Sequence, residues 1–376
     1  MKAGRARTER VDRLLAGLAG LVPGWQERAI LLDQQGAYPE DEIAQLHTLG
    51  AVAAAAPTAF GGVGLGTEPE GAAGLLQALR LIGRGSLSVG RLYEAHVNVF
   101  RLITRFGTDN QVRRAADDAL AGRLFGLWVT DLPDRKLRLD ADWMLHGAKC
   151  PCSGAGRLAR ALVTAATPGG ETRMLLIAVP PGNRATLGGW EAQGMRATAT
   201  GGMALDGIRV DPDAIIGGPG DYLRQPDFSA GAWRTSAVTL GGLEALIAAA
   251  RAALVARGRD GDPHQQARIG EALIAQETAH LWVRRAAQLA EAADGDAGDV
   301  ANGVNLARLA VETACLDAMR LVQRALGLAA FRRGTLTELL LRDLATYLRQ
   351  PAPDEALTDA AAHFMQRDLP EPPQWR

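Results

Sequence analysis

The stretch whose reading decides the fold is "GWEAQGMRATATGGMALDGIRV", Gly189–Val210. Glycines interrupt an otherwise apolar, strand-like run. A Gly-Met-Arg triplet, Gly194–Arg196, stands just before Thr198, Ala199 and Thr200. Glycine at such points permits backbone that other residues avoid, so the pattern predicts a tight turn leading into a hairpin strand that ends at Val210.

The surrounding segments share this β-like period. "LFGLWVTD", "ADWMLHGAK", "RALVTAA", "TRMLLIAVP" and "MALDGIRV" are short runs separated by Gly, Pro and Asp. They predict a β-barrel-like middle domain over 123–222. On either side the period changes to that of a helix. "TERVDRLLAGLAGLV", "EDEIAQLHTLGAV", "EGAAGLLQALRLIGR" and "QVRRAADDALAGR" repeat apolar residues at helical spacing, which predicts a helical domain over 1–122. The Gly- and Pro-rich "PTAFGGVGLG", Pro57–Gly66, breaks that run. Beyond 222, long amphipathic segments ending in "TLTELLLRDLATYLR" predict an up-and-down four-helix bundle over 223–376. The fold class is therefore α+β and multi-domain: helices, then a β domain, then a bundle.

Composition narrows the function. The chain has 376 residues, 47% hydrophobic and 22% charged, enough to bury a large core. A formal net charge of -1 leaves no basic excess for nucleic acid. No run reads as a membrane span, and no apolar stretch follows the basic "MKAGRARTER" as a secretory signal would require. Cys150, Cys152 and Cys315 are sparse and odd in number, which predicts a reduced, cytoplasmic setting. The Cys150-Pro151-Cys152 pair reads as small residues in a hairpin. His146, His264, His280 and His363 lack metal-ligand spacing, so no metal site is expected. "GGPGD", Gly217–Asp221, reads as a plain turn because no Lys-Ser/Thr helix follows. Arg284 and Arg285 read as the solvated face of a helix.

The order of domains and the motifs quoted above resemble the acyl-CoA dehydrogenase superfamily of flavoproteins. Trp190, Gly194, Met195, Arg196 and Thr198 match its Gly-Met-Arg turn, and Thr200 stands where Ser or Thr is usual. "PTAFGGVGLG" is similar to its Gly-rich loop, "EAHVNVFRLITRFGTDNQ" to its His-bearing helix and Gly-Thr turn, and "LRDLATYLRQ" to its Arg-Asp helix. The resemblance implies FAD bound between the β domain and the bundle, in a homodimer or homotetramer. Thr130 and the backbone at Trp128 and Val129 match the flavin-contacting strand, and Ser153 matches the second flavin-facing hairpin. A flat heterocycle rich in acceptors suits hydroxyls and N–H groups on a rigid strand edge. Arg257, Gln265 or the adjacent Gln266, and Gly327 match positions that hold the FAD diphosphate or adenine of a neighbouring subunit. His96 lies where the family often has His, facing the substrate cavity or satisfied within its helix.

The resemblance fails at the proton-removing base. Family dehydrogenases take an α-proton from an acyl thioester with a Glu in a water-poor pocket while hydride passes to the flavin. Counted from Arg342-Asp343, that position is Pro351, within "YLRQPAPDEAL". The alternative position, just before Arg234, is Trp233. Asp354 is then the candidate base, with Glu355 beside it; both also suit the capped start of a helix. The acidic, Gly-rich loop of the family is shortened to "TDLPDRK", Thr130–Lys136, Asp260 replaces a usual Phe, and Leu328 a usual Gly. The expected function is a flavin-dependent acyl-CoA oxidoreductase reoxidised by an electron-transferring flavoprotein or similar acceptor. A flavin-dependent monooxygenase of the same fold is the alternative, since it needs no α-proton base. A degenerate subunit paired with an active paralogue is the third reading.

Overall fold

A computed structural model describes residues 2–180, 182, 184–188, 190–292 and 295–367. Gly189, the first residue of the decisive stretch, lies outside them. The chain begins with helices α1 (Lys2–Gln35), α2 (Glu40–Thr48), α3 (Ala51–Ala54), α4 (Ala72–Gly85), α5 (Leu87–Phe106) and α6 (Asp109–Leu120). The Gly-rich loop folds back on α1, where Arg10 donates to the carbonyls of Gly61 and Gly62. Gly62 is obligatory there, because a Cβ would stand 1.8 Å from the Ala56 carbonyl oxygen. The start of α6 carries a full capping box between Thr108 and Gln111, as the Gly-Thr turn requires.

The middle region has strands β1 (Phe125–Trp128), β2 (Arg138–Leu139), β3 (Leu145–His146), β4 (Ala148–Cys152), β5 (Arg160–Ala166), β6 (Thr172–Ala178), β7 (Ala185–Thr186), β8 (Gly201–Ala204) and β9 (Ile215–Ile216). They form two sheets rather than one continuous barrel wall. One runs β3-β2-β5-β6-β9, with β1 parallel to β5, and the other runs β4-β8-β7. β5 and β6 carry the longest antiparallel register, from Arg160 opposite Ala178 to Ala166 opposite Thr172. The decisive stretch becomes a 3₁₀ turn at Arg196–Thr198 followed by β8, which lies between β4 and β7.

Helices return as α7 (Asp227–Ala230), α8 (Ala232–Val255), α9 (Pro263–Glu291), α10 (Ala297–Leu326), α11 (Leu336–Tyr347) and α12 (Pro353–Phe364). Asp262 and Asp296 cap α9 and α10 through their side chains. The segment Asp227–Val255 is long and apolar enough to cross a bilayer by composition, unlike the sequence expectation, but 61% of its apolar window is buried inside the protein. It is the central helix of the bundle: Val238, Leu240, Leu243 and Leu246 have no exposed surface. A helix apolar on all sides needs neighbours on all sides, and α4, α9, α10 and α11 provide them.

Candidate functional site

A cavity of about 630 Å³ opens where the middle sheets meet α5, α8 and α11. Its size is ordinary for a cofactor or small-molecule site. Three walls differ in chemistry.

The first wall comes from the β region. Leu127, Val129, Thr130, Pro151, Ser153, Trp190, Met195, Thr198 and Thr200 line it. Its hydroxyls form a relay: Thr200 donates to Ser153 Oγ at 3.3 Å, Thr198 and Thr200 are 2.7 Å apart, and Thr198 donates to the Met195 carbonyl at 2.7 Å. Trp128 does not line the cavity. Its ring is buried, and its Nε1–H donates to the Ser153 carbonyl at 2.9 Å, which ties the end of β1 to the turn after β4. Lys149 reinforces this from behind. Its ammonium has no exposure and donates to the Val129 carbonyl at 3.0 Å, Asp131 at 2.7 Å and Thr164 at 3.1 Å. Burial pulls its pKa down, against the hydrogen bond it donates to Asp131. The Trp190 Nε1–H is buried without a partner.

This wall is docked on the Arg-Asp helix that the sequence reading singled out separately. Met195 N–H donates to the Asp343 carboxylate at 2.6 Å, and Gly194 N–H donates to Thr346 Oγ1 at 3.1 Å. A Cβ on Gly194 would stand 2.2 Å from the Arg342 carbonyl oxygen, so only glycine allows the approach. Met195 and Ala199 adopt left-handed backbone, with φ of 57° and 46°. Burial pushes the Asp343 carboxyl up to about 7, opposed by its bond from Met195. Arg342 clamps the assembly through Asp33, Glu338 and the Gln193 carbonyl.

The second wall, at the inner end, is charged. Arg91 pairs with Glu94, and Asn98 donates to the other Glu94 oxygen at 2.6 Å. Arg234 donates to Asn98 at 2.9 Å and to Glu291 at 2.9 Å, and Arg101 donates to Glu291 at 3.0 Å. Arg101 and Arg105 both approach Asp227. Burial pushes the Glu94 carboxyl up, and Arg91 opposes that. Burial likewise pulls Arg234 down, offset by Glu291. Tyr222, Thr235 and Tyr347 complete this end. Sequence reading missed this wall. Its signal was present: Arg91, Glu94 and Asn98 recur at helical spacing on α5, whose neighbours are apolar.

The third wall is the mouth, where Asn305, Arg308, Arg349, Gln350, Pro351, Ala352, Glu355 and Asp359 meet. Arg308 donates to the carbonyls of Pro351 at 3.1 Å and Ala352 at 3.4 Å. Ala352 is left-handed, with φ of 50°, and caps the start of α12.

The structure does not bring Asp354 into this cavity. Pro351 lines it, but the turn through Ala352 and Pro353 starts α12, so Asp354 takes an exposed first-turn position where the helix dipole favours an acid. Trp233, the other position expected for a base, is fully buried in the bundle. Arg257, Gln265 and Gly327 also lie away from the cavity. Arg257 is exposed beyond the end of α8, Gln265 sits in the first turn of α9, and Gly327 ends α10 with φ of 59°. His96 is a satisfied core histidine: it meets the Val52 carbonyl at 2.8 Å and the Phe125 N–H at 3.1 Å, and burial holds its pKa near about 4. His363 joins Asp296 and Asp299, a grouping that sequence spacing did not suggest. Asp296 caps α10, Asp299 stands in its first turn beside His363, and both acids pair with Arg367.

Residues 25–123 match the family model for the acyl-CoA dehydrogenase N-terminal domain. Among solved structures, KijD3 in complex with dTDP superimposes with a TM-score of 0.83 at 22% identity, covering 95% of this chain and 97% of that one. The glutaryl-coenzyme A dehydrogenase structure gives 0.82 at 21% identity, covering 97% and 98%. FMN-bound TdsC from Paenibacillus sp. A11-2 gives 0.79 at 20% identity, covering 96% and 99%. The chain has the acyl-CoA dehydrogenase fold. Two curated relatives are named as a monooxygenase and a nitrososynthase. Dibenzothiophene monooxygenase of Rhodococcus erythropolis is 24% identical over 218 residues, 54% of this chain and 51% of that protein. The match therefore spans about half of that relative. L-evernosamine nitrososynthase of Micromonospora sp. is 27% identical, over 75% of this chain and 70% of that protein.

Proposed function

We propose that this protein is a flavin-dependent monooxygenase. One observation carries the reading. The cavity keeps a wall suited to a flavin but, among the described residues, offers no uncommitted carboxylate at its inner end. Pro351 stands where a dehydrogenase base is expected, and Glu94 and Asp227 are each tied to guanidinium groups. Glu355 and Asp359 lie at the exposed mouth. Removal of an α-proton needs a base held against the substrate, away from water. Oxygen insertion does not.

The β wall fits a flavin. The apolar lining of Leu127, Val129, Pro151 and Met195 suits the face of an isoalloxazine, and the hydroxyls of Thr130, Ser153 and Thr200 suit its polar edge. The unpartnered Trp190 Nε1–H supplies a further donor for an acceptor-rich ligand. When bound and reduced, the flavin supplies two electrons that, with dioxygen, place one oxygen atom in the substrate and release the other as water. The chain's own residues bind, orient and exclude water.

FAD is the cofactor implied by the sequence resemblance, whereas TdsC and a KijD3 structure hold FMN. The cavity walls described above serve the ring system common to both. Arg257, Gln265 and Gly327 would serve the adenosine diphosphate end of FAD only across a subunit boundary. Exposed Leu328 and Phe331 beside Gly327, and Ile274 and Leu281 on α9, support a homo-oligomer.

The test supplies purified protein with an enzymatically reduced flavin, isotopically labelled dioxygen and a panel of small sulfur- and nitrogen-containing compounds. Label in an organic product supports a monooxygenase. Flavin binding with bleaching by an acyl-CoA instead supports the dehydrogenase, with an electron-transferring flavoprotein as acceptor. Persistent failure to bind either flavin supports a degenerate subunit.

A further inference from the structure

The inner wall says what kind of substrate the cavity takes. An acyl chain lying there would cover Arg91 and Arg101, the two guanidinium groups of this wall that keep exposed surface, and its methylenes would desolvate them. The charges in this wall balance each other: Arg91, Arg101 and Arg234 against Glu94, Asp227 and Glu291. What remains unspent is one-sided. Both oxygens of Glu94 are occupied, by Arg91 and Asn98, and both oxygens of Glu291 by Arg234 and Arg101. The acceptors of Glu94 and Glu291 are thus used up, and Asp227 is faced by Arg105 at 3.4 Å and Arg101 at 3.8 Å, while donors are left over on Arg91.

Arg91 uses Nη1 on Glu94 and keeps its remaining N–H groups. Its side chain retains 28% of its surface although it stands on a helix turn whose neighbours, Leu92, Tyr93 and Glu94, are buried. That exposed surface faces the cavity, since Arg91 lines it. Tyr222 and Tyr347 line the same end. The Tyr347 hydroxyl is buried, faces Thr235 and makes no well-formed hydrogen bond. A buried hydroxyl without a partner is costly and is usually satisfied by a ligand or water.

We propose that the inner end of this cavity recognises a small organic substrate through an oxyanion, with the free edge of Arg91 as its anchor and the Tyr222 and Tyr347 hydroxyls as further donors. A guanidinium edge matches a planar or pyramidal oxyanion with two parallel N–H donors. Glu94 holds the opposite side of Arg91 and fixes the direction of that edge. The substrate's oxidisable atom then projects from the oxyanion toward the β wall. This rests on the monooxygenase reading for its use, but the anion site itself does not require flavin.

The test is calorimetric titration of the protein, with and without FMN, using methanesulfinate, propionate and the neutral isostere propionamide. The expected result is binding of at least one anion and none of propionamide. Arg91→Lys keeps the charge and the Glu94 pair but loses the fork, and is expected to weaken anion binding about tenfold. Tyr347→Phe is expected to weaken it several-fold, with melting temperature and FMN binding unchanged in both variants. Equal binding of propionamide, absence of anion binding, or full affinity in Arg91→Lys overturns the proposal. Anion binding without any FMN binding would instead sink the flavin reading and leave the anion site standing.

Discussion

Two turns face each other across the cavity. "GMRATAT", Gly194–Thr200, and "QPAPDEA", Gln350–Ala356, both contain residues in left-handed backbone: Met195 and Ala199 in one, Ala352 in the other. They are held very differently. The first is buried and pinned by Asp343, Thr346 and a run of hydroxyls. The second is exposed and held by Arg308 at the cavity mouth. The wall proposed for the flavin is thus built into the core. Pro351, which stands where the resemblance expects a base, sits on the exposed rim. A fold organised in this way can keep its flavin wall while its reaction changes.

The sharpest way to break the comparison is at the buried turn. Gly194→Ala places a methyl against the Arg342 carbonyl and is expected to cost about 3 kcal/mol, with the turn forced away from α11. Thermal melting and flavin titration would both register it; unchanged values would show that the turn is not rigidly docked. Asp343→Ala strands the Met195 N–H and is expected to cost about 2 kcal/mol in urea unfolding.

Asp343 also gives a pH signature. Burial raises its folded pKa to about 7, above the ordinary aspartate value of 3.8, so its contribution to stability is full below the lower value and is lost as pH rises through the higher one. Between about pH 4 and 7, Asp343→Asn should therefore lose less stability than the parent chain. Parallel curves for the two would contradict the assignment.

The exposed turn should answer more weakly. Arg308→Ala removes two bonds to a surface loop and is expected to cost about 1 kcal/mol, read as faster proteolysis near Pro351 with little change in melting. Asp354→Asn should alter stability by less than about 0.5 kcal/mol and leave oxygen incorporation unchanged. A large loss of activity there would restore Asp354 as a working acid.

The same contrast explains what the sequence made legible. The Gly-Met-Arg turn, the Gly-rich loop and the Arg-Asp helix carry local rules of glycine, capping and period, so they could be read one by one. Their mutual docking could not, because Asp343 meets Met195 across 148 positions of sequence. Pro351 was legible as a missing base. Asp354 was misleading because an acid at a helix start has a local reason to be there, whatever the site requires. The charged inner wall was hidden for the opposite reason. Arg91, Glu94, Asn98, Arg234 and Glu291 come from three helices, and only packing turns them into one surface.

The central claim is that this cavity has kept the flavin wall and given up proton abstraction. The anaerobic visible spectrum of the flavin-loaded protein, titrated with a panel of acyl-CoA thioesters, tests it most directly. The account predicts that the flavin stays oxidised and yellow with every thioester. Bleaching by any one of them would show that a base is present after all.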